Sequence, residues 1–164
     1  VNHTFSIERV PFDQKHVLGQ LLELYTYDFT EFEPFEVDEN GLFGYDYFEE
    51  YWIEPERHPF FIKVNGKLAG FVLVRILPNT DSTTHPLYSI AEFFIMKRYR
   101  RLGIGKAASH QIFKMFPGAW EVFQLENNVP AIGFWRASIR DYTANHYQER
   151  QEDGKVIQTF MSRP

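Results

Sequence analysis

Residues 90–116 read IAEFFIMKRYRRLGIGKAASHQIFKMF, and this stretch decides the fold. Its first part belongs to a long apolar run, Leu87 to Met96, that predicts a strand. Its last part predicts a helix from Ile104 to Phe116, with Ile104, Ala107, Ala108, Ile112 and Met115 on one side. Between them lies Arg100-Arg101-Leu102-Gly103-Ile104-Gly105. The two glycines allow close backbone approach and unusual φ angles. A helix that begins there presents unpaired N–H groups and a partial positive charge. Between Lys97 and Lys106 sit five basic residues and no acid. Together these features predict a site for phosphate or pyrophosphate.

Three anionic ligands compete for such a site. A dinucleotide is one, since Gly103-x-Gly105-x-x-Ala108 matches the glycine fingerprint with Ala in third place. That fingerprint normally opens a larger domain, whereas here it leaves 61 residues to follow. The acid expected about 20 residues further on is met only loosely, by Glu121 or Glu126. A nucleoside triphosphate is the second, but no Gly-x-x-x-x-Gly-Lys-Ser/Thr run exists. Coenzyme A is the third.

Working outward, Thr4 to Val10 alternates as a strand. Pro11 and Asp13 signal a turn and a helix N-cap. A helix is expected from Gln14 to about Phe32, stopped by Pro34. A short second helix is expected over Tyr45 to Trp52. Pro59 to Val64 and Leu68 to Leu77 are strands around Asn65-Gly66, a strong hairpin signal. Asn79 to His85 is a polar loop. Trp120 to Leu125 is a strand, and Pro130 opens a helix running to about Ile139. Thr143 to Glu149 and Lys155 to Met161 are strands around Asp153-Gly154. The expected order is βααβββαβαββ, a mixed α/β single domain over residues 1–164.

The chain of 164 residues is long enough to bury a core without a staple, and it has no cysteine. A disulfide framework, a Cys-ligated zinc site and a thiol nucleophile are therefore excluded. The six histidines lack metal-ligand spacing, so no metal is expected. The formal charge of −5 disfavours nucleic acid as a partner, despite the KRYRR run. No apolar run approaches the length of a membrane helix, and VNHTFSIERV does not read as a signal peptide. The expectation is a soluble cytoplasmic protein with no membrane association.

Arg100-x-x-Gly103-x-Gly105, after a strand and before a helix, resembles the acyl-CoA signature of the GNAT-type N-acetyltransferases. The basic, tyrosine-containing lead-in Met96-Lys97-Arg98-Tyr99 fits as well. Asn128-x-x-Ala131-x-x-Phe134-Trp135 is similar to the family's second motif, and the element order matches over essentially the whole chain. The resemblance implies the GNAT fold, a central and mostly antiparallel mixed sheet flanked by helices. It implies acetyl-CoA as co-substrate and direct transfer of its acetyl group to a primary amine. The N–H groups of Arg101, Leu102, Gly103, Ile104, Gly105 and Lys106 would cradle the pyrophosphate, with Arg100 adding charge. The strand end Phe94, Ile95 and Met96 would bond the pantetheine arm and supply an oxyanion donor. Asn128, Phe134 and Trp135 would lie near the cofactor; plain core packing is the alternative for both aromatics. Trp135 stands where the family often has a Tyr that protonates the leaving thiolate. Solvent, Tyr99 or Tyr142 could do so instead. A non-catalytic CoA-binding or sensing module is the alternative function, and homodimers occur in the family.

The amine must lose a proton before it attacks. Glu92, in an otherwise apolar strand, is the candidate base, with His85 and Glu126 behind it. On simple alternation Tyr88, Ile90, Glu92 and Phe94 share a face. A structural carboxylate is the competing reading. From His16 to Glu56 there is no Lys or Arg, yet 12 of the 22 acids fall there. Asp28, Glu31, Glu33, Glu36, Asp38 and Glu39 would favour a cationic small-molecule acceptor, such as a polyamine, an aminoglycoside or a lysine-like amine. Tyr25, Tyr27, Phe35, Phe43 and Tyr45 would add aromatic walls. The bland alternative is a solvated acidic face.

Overall fold

A computed structural model describes residues 3–78 and 86–163. The expected loop Asn79 to His85, including His85, lies outside the described residues. The elements are β1 (Phe5–Arg9), α1 (Lys15–Phe29), β2 (Arg57–Val64), β3 (Lys67–Leu77), β4 (Leu87–Ile95), α2 (Ile104–Met115), β5 (Gly118–Leu125), α3 (Val129–Thr143), β6 (Gln148–Glu152) and β7 (Lys155–Ser162). The seven strands form one sheet in the order β1-β2-β3-β4-β5-β7-β6. Every neighbouring pair is antiparallel except β4 and β5.

Two hairpins have the residues their turns require. Asn65-Gly66 and Asp153-Gly154 all take positive φ, as a two-residue type I′ turn demands. Alternation then divides the apolar side chains between two faces. Phe60, Ile62, Val72, Val74 and Ile90 pack against α2 and α3. Phe61, Phe71, Leu73 and Phe94 pack against Leu18, Leu21 and Leu22 of α1.

Four expectations are corrected. The helix expected over Tyr45 to Trp52 is a single 3-10 turn, Glu49–Trp52. Side chains hold this region: Glu23 accepts from the Phe43 and Gly44 amides at 2.8 and 2.9 Å, and Trp52 Nε1 donates to the Val10 carbonyl at 3.0 Å. Asp13 does not cap α1; Gln14 holds that position without a side-chain bond. α3 continues to Thr143, whose hydroxyl donates to the Ile139 carbonyl, and it stops at the left-handed Ala144 and Asn145. The next strand therefore begins at Gln148. In α2, Phe113 is in the core and Met115 is exposed.

The β2–β3 and β3–β4 pairings each contain a bulge. β2 and β3 pair Lys63 with Leu68 but Ile62 with Gly70, leaving Ala69 extra. β3 and β4 pair Leu73 with Glu92 but Val74 with Ile90, leaving Ala91 extra. An extra residue reverses the phase of alternation. Tyr88 and Ile90 therefore face α2 and α3, while Phe94 packs on the α1 side opposite them. Glu92, directly across from Leu73, lies on the α1 side too. The four residues expected on one face are split two and two.

Candidate active site

The parallel pairing of β4 and β5 covers only Leu87 with Ala119 and Tyr88 with Trp120. Beyond that the strands part, because β5 follows β7 while β4 stays with β3. A cavity of about 1300 Å³ opens at the fork. Its walls run from the α1 side, with Tyr25, Tyr45 and Glu92, to the start of α2, with Gly103, Gly105 and Lys106.

At the α2 end, Gly103 is the N-cap in a left-handed conformation, φ 78°, with no side-chain cap. The first helical backbone bond runs from the Ala107 amide to the Gly103 carbonyl at 3.1 Å. Among the described residues, the amides of residues 101–106 donate to no backbone carbonyl. A Cβ on Gly103 would meet nothing within 4 Å. This is an open row of donors at the positive end of a helix, and it fits a pyrophosphate. Gly105 differs: a Cβ there would stand 3.1 Å from the Phe134 ring, so this glycine lets α2 lie close to α3.

The expected cofactor residues divide. Gly103, Gly105, Lys106, Arg100, Arg101, Asn128, Phe94, Ile95, Phe134 and Trp135 line the cavity. Leu102 and Ile104 bring no side chain to it; Leu102 is exposed and Ile104 is in the core. Arg100 is already engaged. Its amide donates to the Lys97 carbonyl, its Nε to the Ile95 carbonyl at 2.7 Å, and its Nη2 to Asp28 at 2.8 Å. It joins α1 to the end of β4 rather than standing free for an anion. Lys106 pairs with Asp141 through its ammonium, so its backbone amide is what remains available. The Met96 amide donates to the Ala69 carbonyl at 2.8 Å, and Met96 does not line the cavity. By alternation the Ile95 amide turns to the other edge of β4, where the fork leaves no strand. Asn128 caps α3, accepting from the Ala131 amide at 3.2 Å. Phe134 stacks on Phe93 at 5.7 Å, and Trp135 is 6% exposed, edge-on to the same ring at 5.1 Å. Both aromatics serve the core and the cavity wall together.

At the α1 end, Glu92 receives a hydrogen bond from the Tyr25 hydroxyl and a long one, 3.4 Å, from the Tyr45 hydroxyl. Burial pushes the Glu92 carboxyl up to about 7, while the two phenol donors pull it back down. Burial, followed by the charge of Glu92, pushes both phenols above their ordinary value, so they remain protonated donors. A carboxylate poised near neutrality in a cavity is suited to exchanging protons with a bound amine. Sequence reasoning found Glu92 and placed the two tyrosines only as walls. Glu126 is outside this cavity, and Tyr142 is bonded to Ser162 at 2.8 Å away from it, whereas Tyr99 lines it.

The acidic block resolves into separate duties. Asp28 pairs with Arg100 and, at 3.8 Å, with Lys97. Asp38 accepts from the Asn40 and Leu42 amides at 2.8 and 3.0 Å. Glu31, Glu33 and Glu36 line the cavity mouth. Two arginines that sequence reasoning did not single out, Arg57 and Arg75, line it as well.

Comparison with known proteins agrees with this geometry. The model of the acetyltransferase (GNAT) family matches residues 19–138, and the chain belongs to that family. It is an N-acetyltransferase with the GNAT fold, and its acetyl donor is acetyl-CoA. No curated protein sequence matches significantly. The fold is similar to spermidine N-acetyltransferase from Vibrio cholerae in complex with CoA and spermine, with TM-score 0.66, 9% identity, and 96% of this chain and 95% of that one covered. It is also similar to an aminoglycoside acetyltransferase from an uncultured soil metagenomic sample, with TM-score 0.64, 21% identity, and 91% and 92% covered. A third likeness is to Arabidopsis thaliana NAA60 in complex with acetyl-CoA, with TM-score 0.62, 13% identity, and 96% and 98% covered. Among the described residues no helix is long and apolar enough to cross a membrane.

Proposed function

We propose that the protein transfers the acetyl group of acetyl-CoA directly to a primary amine of a small acceptor, with Glu92 as the base. The observation that carries this reading is one cavity with two chemically distinct ends. Free amides at the α2 N-terminus suit the pyrophosphate, and a carboxylate poised near 7 suits an ammonium group.

The ammonium enters past Glu31, Glu33 and Glu36, whose charge favours it. Glu92 takes one proton, directly or through a water. The neutral nitrogen attacks the thioester carbonyl carbon and the C–N bond forms. The Ile95 amide, on the open edge of β4, is placed to donate to the oxyanion. The nitrogen gives its second proton to solvent, and collapse breaks the C–S bond and releases CoA thiolate. A thiol pKa of about 8.5 makes that thiolate a fair leaving group without a strong acid. Trp135 supplies no proton, so solvent or Tyr99, which lines the cavity, protonates the sulfur. With no cysteine in the chain, an acyl-cysteine intermediate has no place.

Calorimetric titration with acetyl-CoA, NAD and ATP tests the donor site. Micromolar binding of acetyl-CoA alone is expected. Release of CoA thiol on adding amines then tests a primary amine as the acceptor. The assay has no thiol background because the protein has no cysteine. Binding of acetyl-CoA with no amine-dependent release would remove a primary amine as the acceptor.

A further inference from the structure

We propose that the acceptor carries a carboxylate as well as its amine, and that Arg75 and Arg57, beside Ser89, receive it. This deepens the amine-acetylation reading and rests on it.

The three residues form a row across three strands: Arg57 opposes Arg75 in the β2–β3 pair, and Arg75 opposes Ser89 in the β3–β4 pair. Residues directly opposed point to one face of a sheet. Here it is the α1 face, the face that also carries Glu92. All three line the same cavity as Glu92. Glu92 opposes Leu73, one side-chain repeat along β3 from Arg75, a step of about 7 Å. A negative group and a positive pair thus stand side by side in one partly dry space.

Arg57 is 9% exposed and fixed in place. Its guanidinium lies 4.7 Å from the Tyr47 ring centre and 5.4 Å from that of Tyr51. Its Nε donates to Glu54 at 2.8 Å, and among the described residues its terminal nitrogens have no acceptor within hydrogen-bond geometry. Ser89 is buried, and among the described residues its hydroxyl has no partner. A buried hydroxyl of this kind gains when an acceptor oxygen arrives. Guanidinium groups suit a carboxylate because their donors match its two oxygens. An acceptor that is cationic throughout would bring its second charge against two arginines. A zwitterion places its ammonium at Glu92 and its carboxylate at the arginine row.

The test pairs each amino acid with the amine made by removing its carboxylate. Lysine is set against cadaverine, ornithine against putrescine, and γ-aminobutyrate against propylamine. The full chain with acetyl-CoA is used, and CoA release is read. In at least one pair the amino acid should exceed its partner in kcat/KM by about tenfold or more. Arg75→Gln should shrink that ratio to roughly threefold or less, through KM for the amino acid. Ser89→Ala should shift the ratio the same way by less, and it serves if Arg75→Gln fails to fold. Decarboxylated amines that react as well as the amino acids in every pair overturn this inference while the acetylation reading stands. A carboxylate preference untouched by both variants overturns the assignment to this row. CoA release with none of the six amines overturns the inference; acetyl-CoA binding measured alongside then tells whether the donor site has failed as well.

Discussion

The two ends of the cavity are built in different ways. The proposed donor end comes from one continuous segment: a strand, a basic turn, a left-handed glycine and the first turn of α2. Its working groups are backbone amides, the same for any side chains around them. The proposed acceptor end is assembled from four separate places: Tyr25 on α1, Tyr45 in the following loop, Arg57 and Arg75 on the β2–β3 hairpin, and Ser89 and Glu92 on β4. Its working groups are side chains. A shared donor can therefore be held by an invariant local device while acceptor preference changes around it. Arg100 links the two ends, holding both Asp28 and the Ile95 carbonyl.

Substitutions at each end should break this contrast in different ways. Glu92→Gln is expected to have the largest effect, lowering kcat by roughly a hundredfold or more with acetyl-CoA affinity unchanged. The wild-type rate should rise as pH passes through about 7, where Glu92 loses its proton, and the variant should lose that inflection. The same substitution bears on stability. The folded pKa is raised by burial, so the favourable contribution of the neutral form is complete below the unfolded value and lost as pH rises through about 7. Glu92→Gln should therefore raise the melting temperature at pH 8 and have little effect near pH 4. A variant that keeps the acidic limb of the rate profile would remove Glu92 as base.

Gly103→Val attacks the other end. The left-handed φ costs a side chain about 1–2 kcal/mol, and the side chain projects into open space. Acetyl-CoA affinity should fall by roughly tenfold or more, measured by calorimetry on protein whose folding is checked by circular dichroism. Gly103→Asn tolerates the left-handed conformation, so it separates backbone strain from occlusion. Unchanged affinity in both folded variants would sink the pyrophosphate site.

Tyr25→Phe should have the smallest effect and sharpen the contrast most. Its hydroxyl bond lowers the Glu92 pKa, so its removal should move the rate inflection to higher pH, with a few-fold loss near pH 7. Acetyl-CoA affinity should not change. A shift toward lower pH would contradict the hydrogen-bond assignment.

The glycine turn and the open amides at the start of α2 were legible in the sequence because their signals are local. Glycine spacing, a strand before and a helix after are fixed within about twenty residues, and helix termini always leave amides unpaired. The same holds for the two hairpin turns. Less was legible where neighbours intervene. Asn128 read as a cofactor contact; it lines the cavity and also caps α3, a duty that Asn before Pro130 at a helix start signals. Arg100 read as an anion ligand; it lines the cavity, and it is also engaged by Asp28 on α1, a partner 72 positions away in the chain that no local pattern shows.

Sequence by itself determined the glycine turn, the strand and helix that flank it, the Asn65-Gly66 and Asp153-Gly154 hairpins, and a buried carboxylate at Glu92. Tertiary structure decided which residues meet. Counting back from the Asn65-Gly66 turn without interruption would set Arg57 opposite Val74; the extra Ala69 sets it opposite Arg75. Plain alternation would put Glu92 with Tyr88 and Ile90; the extra Ala91 turns it toward Tyr25 and Tyr45. Side chains alternate with a period of two, so a single inserted residue exchanges the faces. Where that residue is tolerated depends on how three strands and α1 pack together.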